Sequence, residues 1–249
     1  VNSLSSIAIL IGSFAILKKY DIRLHVPSTV EIADAMRGST RLFFTNIATN
    51  LYTSTNIVIV SLVLGPAAAG EFALADRLRQ VAMSVTAPVT SAIYPFMCRI
   101  AHREADPGEA WAKRFFIYGI LGLSLAISIA LFVAAPIIVR LLAGPAFEGA
   151  ILLLRIMAFL PAIIAVSHIV GVQTMLPLGM DREVSWIVAS AAVLGVCTMY
   201  ASTAMFGVVG SASALVGIEI YVTVIHLLVL QRRTSIRTLF FSPATSNRS

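Results

Sequence analysis

Residues 115–142 read FFIYGILGLSLAISIALFVAAPIIVRLL, and this run decides the fold class. Its one charged side chain is Arg140, and it exceeds the roughly 20 apolar residues that a helix needs to cross a hydrocarbon core. Comparable apolar runs occur at 4–17, 43–64, 72–97, 151–176, 184–206 and 208–230. Hydrophobic residues make up 58% of the chain and charged residues only 12%, about half the roughly 25% charged fraction of a soluble domain. With a mean hydropathy of +0.91, the expected fold class is all-α integral membrane, with about seven transmembrane helices.

Pro88, Pro95 and Pro161 fall inside the third and fifth runs. Kinks are expected there, because neighbouring groups in a helix bundle can satisfy the carbonyls that proline frees. The net charge of +6 does not point to nucleic acid, since the basic residues are scattered between apolar runs and form no continuous patch with interleaved aromatics. Their placement reads as topology. Arg77, Arg79, Arg140 and Arg155 fall to the side with short Gly/Pro-rich connections, and the rest of the 18 Lys and Arg residues fall to the other. The positive-inside rule makes the richer side cytoplasmic, with the C-terminus inside.

The segment at 4–17 lacks a preceding basic region and is followed by Lys18 and Lys19, the reverse of a secretory signal. An odd number of spans with a cytoplasmic C-terminus would start the first span outside, so further spans are expected upstream. The domain reading is 1–17 as a spanning helix, 18–42 as a cytoplasmic linker, 43–230 as a six-helix transmembrane lobe and 231–249 as a cytoplasmic tail. Within the linker, Ser28 and Glu31 form a capping-box pattern for an amphipathic helix over 27–40.

Polar residues inside these runs are the candidate functional groups. At 100° per residue, Asn46, Thr49, Asn50 and Thr53 share one face of the second run. Such a stripe can line a hydrated cavity and offer donors and acceptors to sugar hydroxyls. It can equally bond to neighbouring spans. Arg77 and Arg79, two residues apart, point about 200° away from each other, so both cannot face one cavity.

Glu219 falls near the middle of the last run, with Thr223 and His226 at i+4 and i+7 on the same face. The stripe reads either as a proton-responsive site for ion coupling or as packing around a protonated carboxyl. Ser167, Gly171 and Thr174 make a smaller polar stripe in the fifth run, from which His168 and Gln173 point away. Cys98 and Cys197 read as packed thiols. No His, Cys and carboxylate spacing suggests a metal, and no phosphate loop or nucleophile elbow suggests an enzyme. No cofactor and no catalytic residue is expected.

Three stretches, LGPAAAGEFALADR at 64–77, Ile93-Tyr94-Pro95, and GVQTMLPLGM at 171–180, resemble the polysaccharide-transport branch of the multidrug/oligosaccharidyl-lipid/polysaccharide flippases, the Wzx-like O-antigen exporters. The resemblance runs from about Glu31 to Arg233, and order and spacing carry it. It implies a MATE-like bundle of two six-helix lobes around a central cavity, represented here by the last helix of the first lobe and the C-terminal six-helix lobe. The implied cargo is an undecaprenyl-diphosphate-linked oligosaccharide crossing the bacterial inner membrane for O-antigen, capsule or exopolysaccharide export. The implied partners are that lipid-linked oligosaccharide, membrane lipids, a polysaccharide polymerase and a chain-length regulator.

The family's basic cavity position carries over to Arg77, where a cation suits an anionic diphosphate in a low-dielectric site. Asn46, Asn50 and Thr53 are the candidate sugar contacts, and Glu219 and His226 the candidate coupling groups. The alternatives are a polymerase or ligase of the same pathway, a multidrug or peptidoglycan-precursor exporter, and an inactive half-transporter. A pathway enzyme is expected to carry a sizeable outer loop, and a multidrug exporter an aromatic, acidic cavity. The outer connections are short, and aromatics make up 8% of the chain.

Overall fold

The computed structural model describes Ser28, residues 55–101 and residues 106–233. All of these except Ser28 lie in one compact unit, Arg41–Ser249, and every regular element among them is helical. The run at 4–17, most of 43–64 and the segments expected as amphipathic helix and tail fall outside the described residues, apart from exposed Ser28 and the last three helical residues before 234.

A short apolar helix, α1 (Thr55–Leu64), ends at Gly65, whose φ of 88° is a conformation few other residues adopt. Pro66 then opens α2 (Pro66–Ser84), as suits a first turn whose N–H groups have no helical partner. A break at Val85 and Thr86 bends α2 by 47° into α3 (Ala87–Ile100). Pro88 opens the break: it has no N–H for the Ser84 carbonyl, and its ring would press against that carbonyl in a continuous helix. Hydroxyls bond into the loosened turn, Thr86 Oγ1 donating to the Met83 carbonyl at 2.8 Å and Thr90 Oγ1 to that of Ala87 at 2.9 Å.

The run that decided the fold class lies within α4 (Pro107–Ala143). Asp106 and Glu109 start it as a capping box, the Asp106 N–H donating to Glu109 Oε2 at 3.2 Å. At 1.5 Å per residue α4 is about 55 Å long, well beyond the roughly 30 Å hydrocarbon core. Gly144, at φ 76°, ends it. The chain returns through α5 (Gly149–Met157) and α6 (Leu160–Val170), which pass as one apolar span continued by a π-helical turn, Gly171–Met175. Pro161 leaves a step between α5 and α6, and the Ala162 N–H in the new first turn donates to Ser128 Oγ of α4 at 3.1 Å.

The last element, α7 (Asp181–Arg233), folds back at Gly207, where φ is 63° and ψ −149°. Contacts between its arms, 181–206 and 208–233, show them to be antiparallel. Thr203 Oγ1 lies 2.8 Å from Ser211 Oγ, Ser190 Oγ 3.1 Å from the Tyr221 hydroxyl, and Arg233 3.3 Å from Glu183. Each arm is about 39 Å long, enough for one crossing. Gly210 lets the arms meet, since a Cβ there would overlap the Ser202 carbonyl.

By length and apolarity, three helical segments can cross a membrane, and the bent α2–α3 pair makes a fourth. The longest of the three is the α7 hairpin. Helix association in lipid relies on close packing more than on apolar burial, and fully buried Ala75, Ala135, Ala150, Ala158, Ala191 and Ala212 allow close approach. Phe72, Leu154, Met157 and Leu160 fill the largest cluster, which joins α2, α4, α5 and the two ends of the α7 arms nearest Gly207. Two smaller clusters lie toward the opposite end, one around Met175 and Ile187 and one around Met97, Ile117 and Ile169.

Candidate functional site

The helices present two kinds of outward surface. Along α4 the exposed side chains between the ends are Leu123, Leu125, Ile129, Phe132, Val133 and Ile137, while Ser124 and Ser128 turn inward. That is a face for lipid tails. The bent α2–α3 pair instead mixes polar and apolar exposure, with Arg77, Gln80 and Ser84 beside Val81 on α2, Val85 at the break, and Val89, Ser91 and Tyr94 beyond it. At 100° per residue Arg77, Gln80 and Ser84 fall within about 60° of one another.

Arg77 lies about 16 Å along α2 from its start, roughly half the depth of a hydrocarbon core. Its neighbours turn the other way. Asp76 and Arg79 are buried, and Asp76 accepts from Arg79 Nε at 2.9 Å and from Gln80 Nε2 at 2.7 Å. Arg79 Nη1 also approaches Met83 Sδ at 3.0 Å. The two arginines thus diverge as helical geometry requires, one charge neutralised inside and one presented outward.

A second polar region is buried between α6 and the arm 208–233. Positions 163, 167 and 171 of the chain that runs through α6 meet residues 223 and 226 of that arm. Thr223 Oγ1 makes a long bond to the Ile163 carbonyl at 3.4 Å, and Ser167 Oγ lies 3.1 Å from His226 Nδ1. Next to Gly171, a Cβ would come within 3.0 Å of the His226 ring. Glu219 is buried one turn before Thr223, whose hydroxyl also bonds to the Glu219 carbonyl at 2.7 Å. Among the described residues His226 Nε2 has no hydrogen-bond partner.

The structure therefore sets His226 against Ser167 and Gly171, linking two stripes read separately in the sequence, with Thr223 and buried Glu219 farther along the same arm. Thr174 does not join them and bonds back to the Ile169 carbonyl at 2.8 Å. His168 is exposed, and Gln173 reaches across to α3, its Nε2 donating to the Thr90 carbonyl at 2.8 Å. Asn46, Asn50 and Thr53 lie outside the described residues.

Sequence reading passed over Gln80, Ser84 and Ser91, although their spacing of i+3, i+7 and i+14 from Arg77 was visible. Among the described residues no three His, Cys, Asp or Glu side chains gather as a metal site. Cys98 and Cys197 are free thiols, the second exposed.

Comparison with known proteins bears on what such a molecule handles. Residues 1–101 match a family model described as polysaccharide biosynthesis protein. Over 193 residues the chain is 28% identical to a putative O-antigen transporter of Escherichia coli strain K12, covering 76% of this chain and 46% of that protein. Over 226 residues it is 24% identical to a putative O-antigen transporter of Shigella dysenteriae, covering 87% of this chain and 56% of that one. The chain thus spans about half the length of the curated relatives it matches. No solved structure matches it. Both relatives are named putative O-antigen transporters, and the matches support the polysaccharide-transporter resemblance, while the long apolar helices support a multi-pass membrane protein.

Proposed function

We propose that this chain takes part in flipping an undecaprenyl-diphosphate-linked oligosaccharide from the cytoplasmic to the periplasmic leaflet of a bacterial inner membrane. The observation that carries the reading is the exposure of Arg77, Gln80 and Ser84 along one side of α2, with Arg77 about 16 Å along the helix from its start, a length near half that of a hydrocarbon core. An arginine at such depth is costly against lipid tails, and normally faces a watery cavity or an anionic partner. A guanidinium can grip phosphate oxygens with two parallel N–H donors. Gln80, Ser84 and Ser91 would then lie along the glycan or its water, with Asn46, Asn50 and Thr53 as further sugar contacts from the second run. Glu219 and His226, both buried on the arm 208–233, are the groups assigned to ion coupling. The basic side and the C-terminus are cytoplasmic in this reading.

The test is an Arg77→Ala substitution at the chromosomal locus, read as surface polysaccharide and as lipid-linked oligosaccharide retained in the membrane. Surface glycan is expected to fall at least tenfold while the lipid-linked precursor accumulates, with partial recovery in Arg77→Lys. Wild-type glycan in Arg77→Ala, with the protein present at normal level, would remove Arg77 from the site.

A further inference from the structure

Two of the irregular places in the described helices, the bend at Val85–Thr86 and the π-turn Gly171–Met175, are joined by one side chain. Gln173 lies within the π-turn and is 4% exposed. Its Nε2 donates to the carbonyl of Thr90, four residues past the bend, at 2.8 Å, while its Oε1 has no partner among the described residues. The alternative amide orientation would set oxygen against oxygen at Thr90, so the donor side is fixed. A buried amide bonded on one side only is an unusual thing to retain for stability.

We propose that Gln173 is a latch that sets the angle between α2 and α3, with the π-turn as the backbone register that keeps it engaged. The proposal rests on the transport reading only in giving that angle a use, since α2 carries Arg77. A π-turn holds one more residue than the α-helical turn it replaces and is commonly found at functional positions. Here the Leu176 N–H bonds to the Gly171 carbonyl at 3.1 Å, closing the wide turn. If the turn tightened to α geometry, one residue would leave it and Gln173 would rotate by about 100° relative to the chain before it. The Thr90 bond would break.

The start of the turn is held from the other side by the His226 ring against Gly171. The device therefore has two registers and one side chain that reads them, a discrete change of the sort packed helices can make. Gln173 is a positioning residue, acting on the exposed face through α3.

The experiment measures the bend itself, in the full chain reconstituted in lipid nanodiscs. With Cys98 and Cys197 replaced by alanine, spin labels at Ala67→Cys and Arg99→Cys report the distance across the break. Straightening would lengthen it by about 4 Å from helix geometry alone. The parent is expected to give one narrow distribution. Gln173→Leu, which lacks the amide, and Gln173→Asn, which is too short to reach Thr90, are expected to broaden or shift it. Thr174→Val, which loses a hydroxyl bond in the same turn, is expected to leave it unchanged.

An unchanged distribution in folded Gln173→Asn overturns the latch even if Gln173→Leu fails to fold. An equal shift in Thr174→Val also overturns it, by showing a general loosening of the turn. Because the readout is a distance and not transport, the result does not depend on what the protein carries.

Discussion

Asp76, Arg77 and Arg79 are three charged residues within a single helical turn, yet burial separates them into two roles. Asp76 and Arg79 neutralise each other inside the bundle, and breaking a buried pair from one side strands the remaining charge. Asp76→Ala is expected to lower stability by about 3 kcal/mol, read as a reduced unfolding midpoint in detergent. Replacing both partners, as in Asp76→Ala with Arg79→Leu, should recover most of that loss, because no uncompensated charge remains. A cycle showing simple additivity would mean that the pair contributes no coupling. Arg77→Ala, in contrast, should leave the midpoint nearly unchanged while abolishing export, which separates a site residue from a packing residue.

At the scale of elements, glycines with left-handed backbone mark where helices stop. Gly207 sits at φ 63° and ψ −149°, a region open essentially only to glycine. Gly207→Ala is expected to cost about 1–3 kcal/mol by forcing strain into the hairpin. Gly217, by comparison, lies in the same α7 with open space where a Cβ would go. Gly217→Ala should be neutral or stabilising by up to about 1 kcal/mol, the helix-propensity difference. Thermal unfolding of both variants checks the contrast. The proline breaks follow a different logic, since each removes one N–H, and here the chain supplies hydroxyls of Thr86, Thr90 and Ser128 around the openings.

Across the whole molecule, the contrast between the α4 surface and the α2–α3 surface predicts which side meets water. Cysteines placed at Ser84 and Ser91, in a background without Cys98 and Cys197, should react with a hydrophilic maleimide in membranes. Cysteines at Leu125 and Ile129 should react at least tenfold more slowly. Equal rates at the four positions would leave no basis for a hydrated face on α2–α3. Much of this architecture was legible beforehand. The apolar runs at 72–97, 115–142, 151–176, 184–206 and 208–230 each correspond to a described helical stretch, and the breaks near Pro88 and Pro161 lie where proline predicts them, whereas Pro95 sits inside an unbroken α3. The π-turn was not legible, because no residue type in GVQTM demands a wide turn; its register comes from what packs on either side.

What the sequence alone determined was the class of solvent and the cut of the chain into segments. Hydropathy and proline and glycine chemistry act locally, so a run of apolar residues or a Gly-Pro pair declares itself without its neighbours. Which of two arginines faces outward, which serine meets His226 and where Gln173 finds its acceptor were decided only by tertiary structure. Those outcomes depend on the rotation of each helix about its axis, and that rotation is set by contacts between residues far apart in the chain.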